Sequence, residues 1–227
     1  MTVRQLSKRW RRWLSLGAWI LASHPAAFGQ SGSLVVAPAE VRIEVHASVR
    51  DTRFMPLLMQ RLNRVLASPL REGRFDMDLQ PFAPALPWLF PTNAQPLLQR
   101  LGEGVLAGGA QATTHVYVIE EAIRLPPARF NFAASFGSSQ APVRLTIVSL
   151  ARLRSLATDG TDPSPAMTAQ RVFKLVAKNV ARLAGYHGEA GRCLFAFPSN
   201  LGELDATPEN FCEPDLSVLV QTGVARR

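Results

Sequence analysis

The chain has 227 residues, 47% of them apolar, with 25 Lys/Arg against 17 Asp/Glu and two cysteines. Its formal charge of +8 invites a nucleic-acid reading, yet Arg4, Lys8, Arg9, Arg11 and Arg12 crowd the start of the chain with no acid among them. Without residues 1–29 the balance is 20 basic to 17 acidic residues, about +3, which leaves no electrostatic footprint for DNA or RNA.

The opening segment reads as a secretory signal peptide. The basic stretch MTVRQLSKRWRRW runs directly into the apolar LSLGAWILA, and Ala27-Phe28-Gly29 puts small residues at the two positions that a signal peptidase reads. That apolar run is about half the ~20 residues a spanning helix needs. The expectation is cleavage after Gly29 by the general route, since the surroundings of Arg11-Arg12 fit a twin-arginine leader poorly. The product is then secreted or periplasmic, with no transmembrane anchor. Residues 30–40 read as a loose lead-in and residues 41–227 as one domain, long enough to bury a core. In an oxidising compartment, Cys193 and Cys212 are expected to pair.

Val41, Ile43 and Val45 alternate with Arg42, Glu44 and His46, the pattern of a half-buried strand. From Phe54, the residues Leu58, Leu62, Val65 and Leu66 recur at helical spacing, and Phe75, Met77 and Leu79 then alternate with Asp76 and Asp78. Strand, helix and strand in that order are the ingredient of a parallel sheet. The proline-rich stretch 81–91 cannot hold regular structure. A second helix is predicted over 96–107 and a strand over 115–120. Two further strands, 130–136 and 143–149, are joined by a turn at Gly137-Ser138-Ser139. After another loop, a helix over 166–184 carries Val172, Val176, Val180 and Leu183 along one stripe and ends at Gly185. An irregular segment with both cysteines follows, and then the short apolar stretch LSVLV.

The passage from the end of that helix, VAKNVARLAGYHGEAGRCLFAFPSNLGELDATPENFCEPD, resembles the zinc-site region of the archaemetzincins, a branch of the metzincin metallopeptidases. Upstream, HVYVIEEAIRLPP, FNFAASFG and LTIVSLARL are similar to that family's strands, so the resemblance covers about residues 112–215. It implies an α/β fold: a metzincin-like, twisted, mostly parallel sheet with flanking helices and an irregular C-terminal lobe. It also implies a helix bearing H-E-x-x-H-x-x-G-x-x-H, whose histidines bind zinc and whose glutamate activates the bound water. A four-cysteine zinc knot enclosing a methionine turn follows that helix in the family.

This sequence departs from the pattern at the chemistry. With Gly185 as the motif glycine, Lys178 and Arg182 fall on the two helical histidines and Asn179 on the glutamate. His187 matches the third histidine only with one residue deleted. Cys193 and Cys212 fall on two of the knot cysteines, Gly188 and Asp215 on the other two, and Phe195 on the turn methionine. Ammonium and guanidinium groups offer only donors and repel a cation, and an amide is no base.

The resemblance therefore implies a pseudoenzyme with no cofactor. His187, Cys193, Cys212 and Asp215 remain a weak candidate set for a rebuilt zinc site, the alternative to a disulfide. Lys174, Lys178 and Arg182 recur every four residues with Arg171 nearby. Acids in the following segment neutralise that face, or else it presents cations to an anionic ligand. The expected function is binding of a peptide, a protein or an anionic envelope ligand. The alternatives are an active zinc peptidase with a non-standard ligand set and a structural envelope protein.

Overall fold

The computed structural model describes residues 34–85, 90–109, 112–154, 163–188 and 193–227. All of them lie in one of the two units into which the chain divides, Ser33–Arg227. The leader expected at 1–29 and the first residues of the lead-in, 30–33, lie outside the described residues.

Alternation sets the first strand, β1 (Glu40–His46), with Val41, Ile43 and Val45 buried on one face. Helix α1 (Met55–Val65) takes Pro56 in its first turn, where no amide donor is missed, and buries Met55, Leu58 and Leu62. There follow β2 (Leu70–Phe75), β3 (Thr92–Asn93), and α2 (Ala94–Ala107), whose first turn is capped by the Asn93 side chain. Then come β4 (Thr113–Ile119), β5 (Ile123–Arg124), β6 (Ala133–Gly137) and β7 (Arg144–Ser149). The helices α3 (Leu150–Leu153), α4 (Pro165–Leu183), α5 (Leu201–Ala206) and α6 (Asp215–Gln221) complete the chain.

Five strands form one mixed, mostly parallel sheet in the order β2-β1-β4-β7-β6. The first four are parallel and β6 returns antiparallel on β7. Strands β3 and β5 make a separate two-residue parallel pair. Because β4 and β7 are buried on both faces, helices cover both sides of the sheet. One core layer joins α1 and α4 to the sheet residues Ile43, Val116 and Val118, and continues into Leu194, Phe195, Leu204, Phe211 and Leu219 of the C-terminal lobe. The other sets α2 against Tyr117, Ile119, Leu145 and Ile147. The architecture is the α/β class anticipated from sequence.

Two elements differ from the sequence reading. The second strand runs over 70–75 rather than 75–79. Residues Phe75, Met77 and Leu79 are half-buried between exposed neighbours and pack against the α2 layer, but the pairing with β1 stops at Phe75. Alternation there reports a covered face, not a ladder. The stretch LSVLV lies in helix α6, and α5 precedes it, so the lobe is less irregular than expected. Among the described residues no helix is long and apolar enough to cross a membrane.

Candidate functional site

Helix α4 starts at a Ser164 cap, its Oγ accepting from the Met167 amide at 3.2 Å, and has Pro165 at its first position. Fourteen of its nineteen residues are buried. The helix therefore lies between the sheet and the C-terminal lobe, and every buried polar side chain on it must find a partner inside the protein.

Most do. Arg171, fully buried, holds the Asp205 carboxylate with a two-point fork, Nε to Oδ1 and Nη2 to Oδ2, both 2.7 Å. Its Nη1 donates to the Leu153 carbonyl at 2.7 Å. Lys174 donates from Nζ to the carbonyls of Leu204 and Asp205, each at 2.9 Å. Those are last-turn carbonyls of α5, the orphan acceptors that every helix end presents, and the ammonium also opposes the negative end of the helix dipole. Burial nevertheless pushes the Lys174 pKa down, with Glu209 and Asp205 opposing that effect. Lys178 donates to the Ala196 carbonyl at 2.9 Å. Burial first, and then the nearby Arg182 charge, lower its pKa to about 8.

Asn179 faces the sheet: its Nδ2 donates to Thr146 Oγ1 at 3.3 Å. That hydroxyl also accepts from Ser135 and donates to the Ala134 carbonyl, so the amide ties the helix to β6 and β7. Arg182 is arranged differently. Its guanidinium carbon lies 4.1 Å from the centroid of the Phe197 ring, and Lys178 Nζ lies 5.2 Å from the same centroid. Its Nε is buried without a hydrogen-bond partner among the described residues. Burial lowers its pKa to about 10, which still leaves it charged at neutral pH. His187, just past the helix, is exposed; partial desolvation and the Arg182 charge push its pKa down.

Gly185 ends the helix at φ +101°, where an added Cβ would lie 2.8 Å from Ser139 Oγ and 2.9 Å from the Leu34 carbonyl oxygen. Gly188 is tighter still, since a Cβ there would come within 2.3 Å of the Phe195 ring. The chain then reaches Cys193, which is disulfide-bonded to Cys212 with Cα atoms 5.8 Å apart. Asp215 is buried and accepts from the Tyr186 hydroxyl at 2.6 Å.

Of the residues named as a weak zinc set, Cys193 and Cys212 spend both sulfurs on each other and Asp215 is engaged by Tyr186, with His187 exposed outside that group. Among the described residues no three His, Cys, Asp or Glu side chains converge as metal ligands. The helical positions do not fit zinc either: Lys178 and Arg182 are donors with no lone pair to give while charged, and the Asn179 amide is bonded to Thr146. The structure does bring Lys178, Arg182 and Phe197 together, and it separates Lys174 from them by turning its ammonium onto α5.

Two features escaped the reading of the sequence. Spacing gives Phe197 no role, because its place over Arg182 depends on how the lobe folds back. The lysine pattern was visible in principle: of 25 basic residues only three are lysines, Lys8, Lys174 and Lys178. The two beyond the leader both lie on α4 and both donate to backbone carbonyls, a task that suits a compact ammonium better than a planar guanidinium.

A mostly parallel sheet thus lies against a long helix that ends in a glycine turn, with a lobe folded back onto that helix. Solved structures define this arrangement further. A zinc-dependent peptidase from Methanocorpusculum labreanum (strain Z) matches with a TM-score of 0.62 and 18% identity over 79% of this chain and 99% of that one. The archaemetzincin of Methanopyrus kandleri matches with a TM-score of 0.58 and 19% identity over 81% of this chain and 94% of that one. That of Archaeoglobus fulgidus, solved with malonate, gives 0.59 and 15% over 78% and 98%. The fold of this chain is archaemetzincin-like. No family model matches the sequence. No curated protein matches it either.

Proposed function

We propose that the chain is an exported, non-catalytic protein of archaemetzincin-like fold that acts by binding a peptide, a protein or an anionic ligand. One observation carries this reading. Lys178 and Arg182 stand where the resemblance puts the helical zinc histidines, and both are packed into the fold, one on the Ala196 carbonyl and the other on the Phe197 ring. No rotation of an ammonium or guanidinium makes it a zinc ligand. Asn179 in the glutamate's place supplies no basicity near neutral pH.

The mature protein, purified without metal additives, is expected to carry well under one zinc per chain by elemental analysis and to leave a fluorogenic peptide library uncut with or without added zinc. One zinc per chain together with hydrolysis that a chelator abolishes would overturn the reading. Terminal sequencing of protein recovered from the producing cell's envelope or medium is expected to begin at Gln30.

The structural alternative has its own support in Arg171 and Lys174, whose charges are spent inside the protein on Asp205 and on two carbonyls. Cations committed in this way hold a lobe in place and recruit nothing. What separates the two readings is whether Arg182, the α4 cation without such a partner among the described residues, takes a ligand.

A further inference from the structure

Arg171, Lys174 and Lys178 each direct their donors at a carboxylate or a carbonyl. Among the described residues, Arg182 has only a ring. No carboxylate among the described residues lies in ion-pair range of it, and its Nε is buried unpartnered. A desolvated charge without a counter-ion is costly to keep in a folded protein. The Phe197 contact offsets part of that cost. A ring takes the place of no conventional acceptor, and the guanidinium carries five in-plane N–H donors. The in-plane edge is therefore left for something else.

Three observations say what fits there. First, Phe197 is 55% exposed although it sits on a half-buried cation, so the couple lies at the surface and a solute can reach it. Secondly, the guanidinium is a rigid planar fork, the shape that matches a carboxylate through two parallel hydrogen bonds. Thirdly, the second cation in the cluster, Lys178, is already committed to Ala196 and adds field but no free fork. A guanidinium fork beside an ammonium that keeps its own carbonyl bond matches the planar, two-oxygen edge of a carboxylate.

We propose that Arg182, with the Phe197 ring against it, anchors a site for a carboxylate, in particular the free C-terminal carboxylate of a peptide. This rests on the non-catalytic reading above and narrows it: Lys178 tunes the site and Lys174 takes no part. The end of α4 then offers a peptide terminus a charged fork at a position where the resemblance expects a metal ligand.

The test uses the mature protein labelled with 15N in its arginine side chains, at constant ionic strength. It is titrated with acetate, with Ala-Ala-Ala, with the same tripeptide C-terminally amidated, and with inorganic phosphate. Acetate and the free tripeptide are expected to shift the Arg182 Nε–H resonance, the tripeptide more tightly, while the amide leaves it in place. Response to acetate with no gain for the tripeptide would overturn the peptide assignment. Arg182→Gln is expected to weaken tripeptide binding at least about tenfold. Arg182→Lys keeps the charge without the fork and falls between, and Phe197→Leu weakens binding about threefold to tenfold. An equal response to the tripeptide and its amide, tighter binding of phosphate than of carboxylate, or unchanged affinity in folded Arg182→Gln would each overturn the proposal. Zinc-dependent hydrolysis would sink the non-catalytic reading by a separate assay, and the titration would still report on Arg182.

Discussion

At the scale of single residues, Lys178 has a measurable consequence. Its pKa is about 8 in the folded protein against an ordinary 10.5. Below pH 8 the lysine is protonated in both states and contributes no slope. Between about 8 and 10.5 the unfolded chain binds more protons than the folded one, so stability rises with pH through that window and the gain is complete above it. The gain attributable to this residue is about 3 kcal/mol at most. Urea unfolding followed from pH 7.5 to pH 10 is expected to show stability increasing, and Lys178→Met to remove most of the rise. Lys174, whose pKa burial also lowers, contributes a residual slope of the same sign. A slope unchanged in Lys178→Met would show that this ammonium is not desolvated. The identities at 178, 179 and 182 were legible from spacing alone. Their partners were not, because Ala196, Phe197 and Thr146 meet them only after the lobe and the sheet have closed on the helix.

At the scale of elements, two kinds of link fasten the C-terminal lobe. Arg171 and Lys174 hold α5 from the helix, and the Cys193–Cys212 bond holds the lobe to itself by closing a loop of 18 intervening residues. In the chain-entropy account a closure of that length contributes about 3 kcal/mol. The double variant Cys193→Ser, Cys212→Ser is expected to lose about that much in urea unfolding. Amide exchange should accelerate mainly over residues 193–221, with the β1, β4 and β7 amides keeping their native order of protection. Uniform acceleration across the sheet would instead mean that the lobe and the sheet unfold as one unit. The pairing was legible from the cysteine count and the expected compartment. The helices α5 and α6 were not, since six and seven residues give too few turns for a period to show.

For the whole molecule, the order of strands and helices followed from the alternation at 41–45, the stripe on α4 and the proline-rich break. Sheet order did not, because nothing local in a strand names its neighbour. The second strand shows the limit well: Phe75, Met77 and Leu79 have the right rhythm but no partner beyond Phe75. The lobe is fastened by a disulfide, a carboxylate fork and ammonium–carbonyl bonds, and none of these needs a metal. The unfolding midpoint of the mature protein is accordingly expected to be the same with and without excess EDTA. A fall of several degrees on chelation would reveal a structural ion.

The partners that quench the α4 cations come after the helix in the chain: Ala196 for Lys178, Leu204 and Asp205 for Lys174, and Asp205 for most of Arg171. As the polypeptide is made from its N-terminus, this helix exists for some time with its polar side facing water and nothing to close over it. Its burial waits until the segment from Ala196 to Asp205 has been made. The molecule thus carries a built-in delay in its own completion, set by where along the chain the counterparts of three positive charges were written.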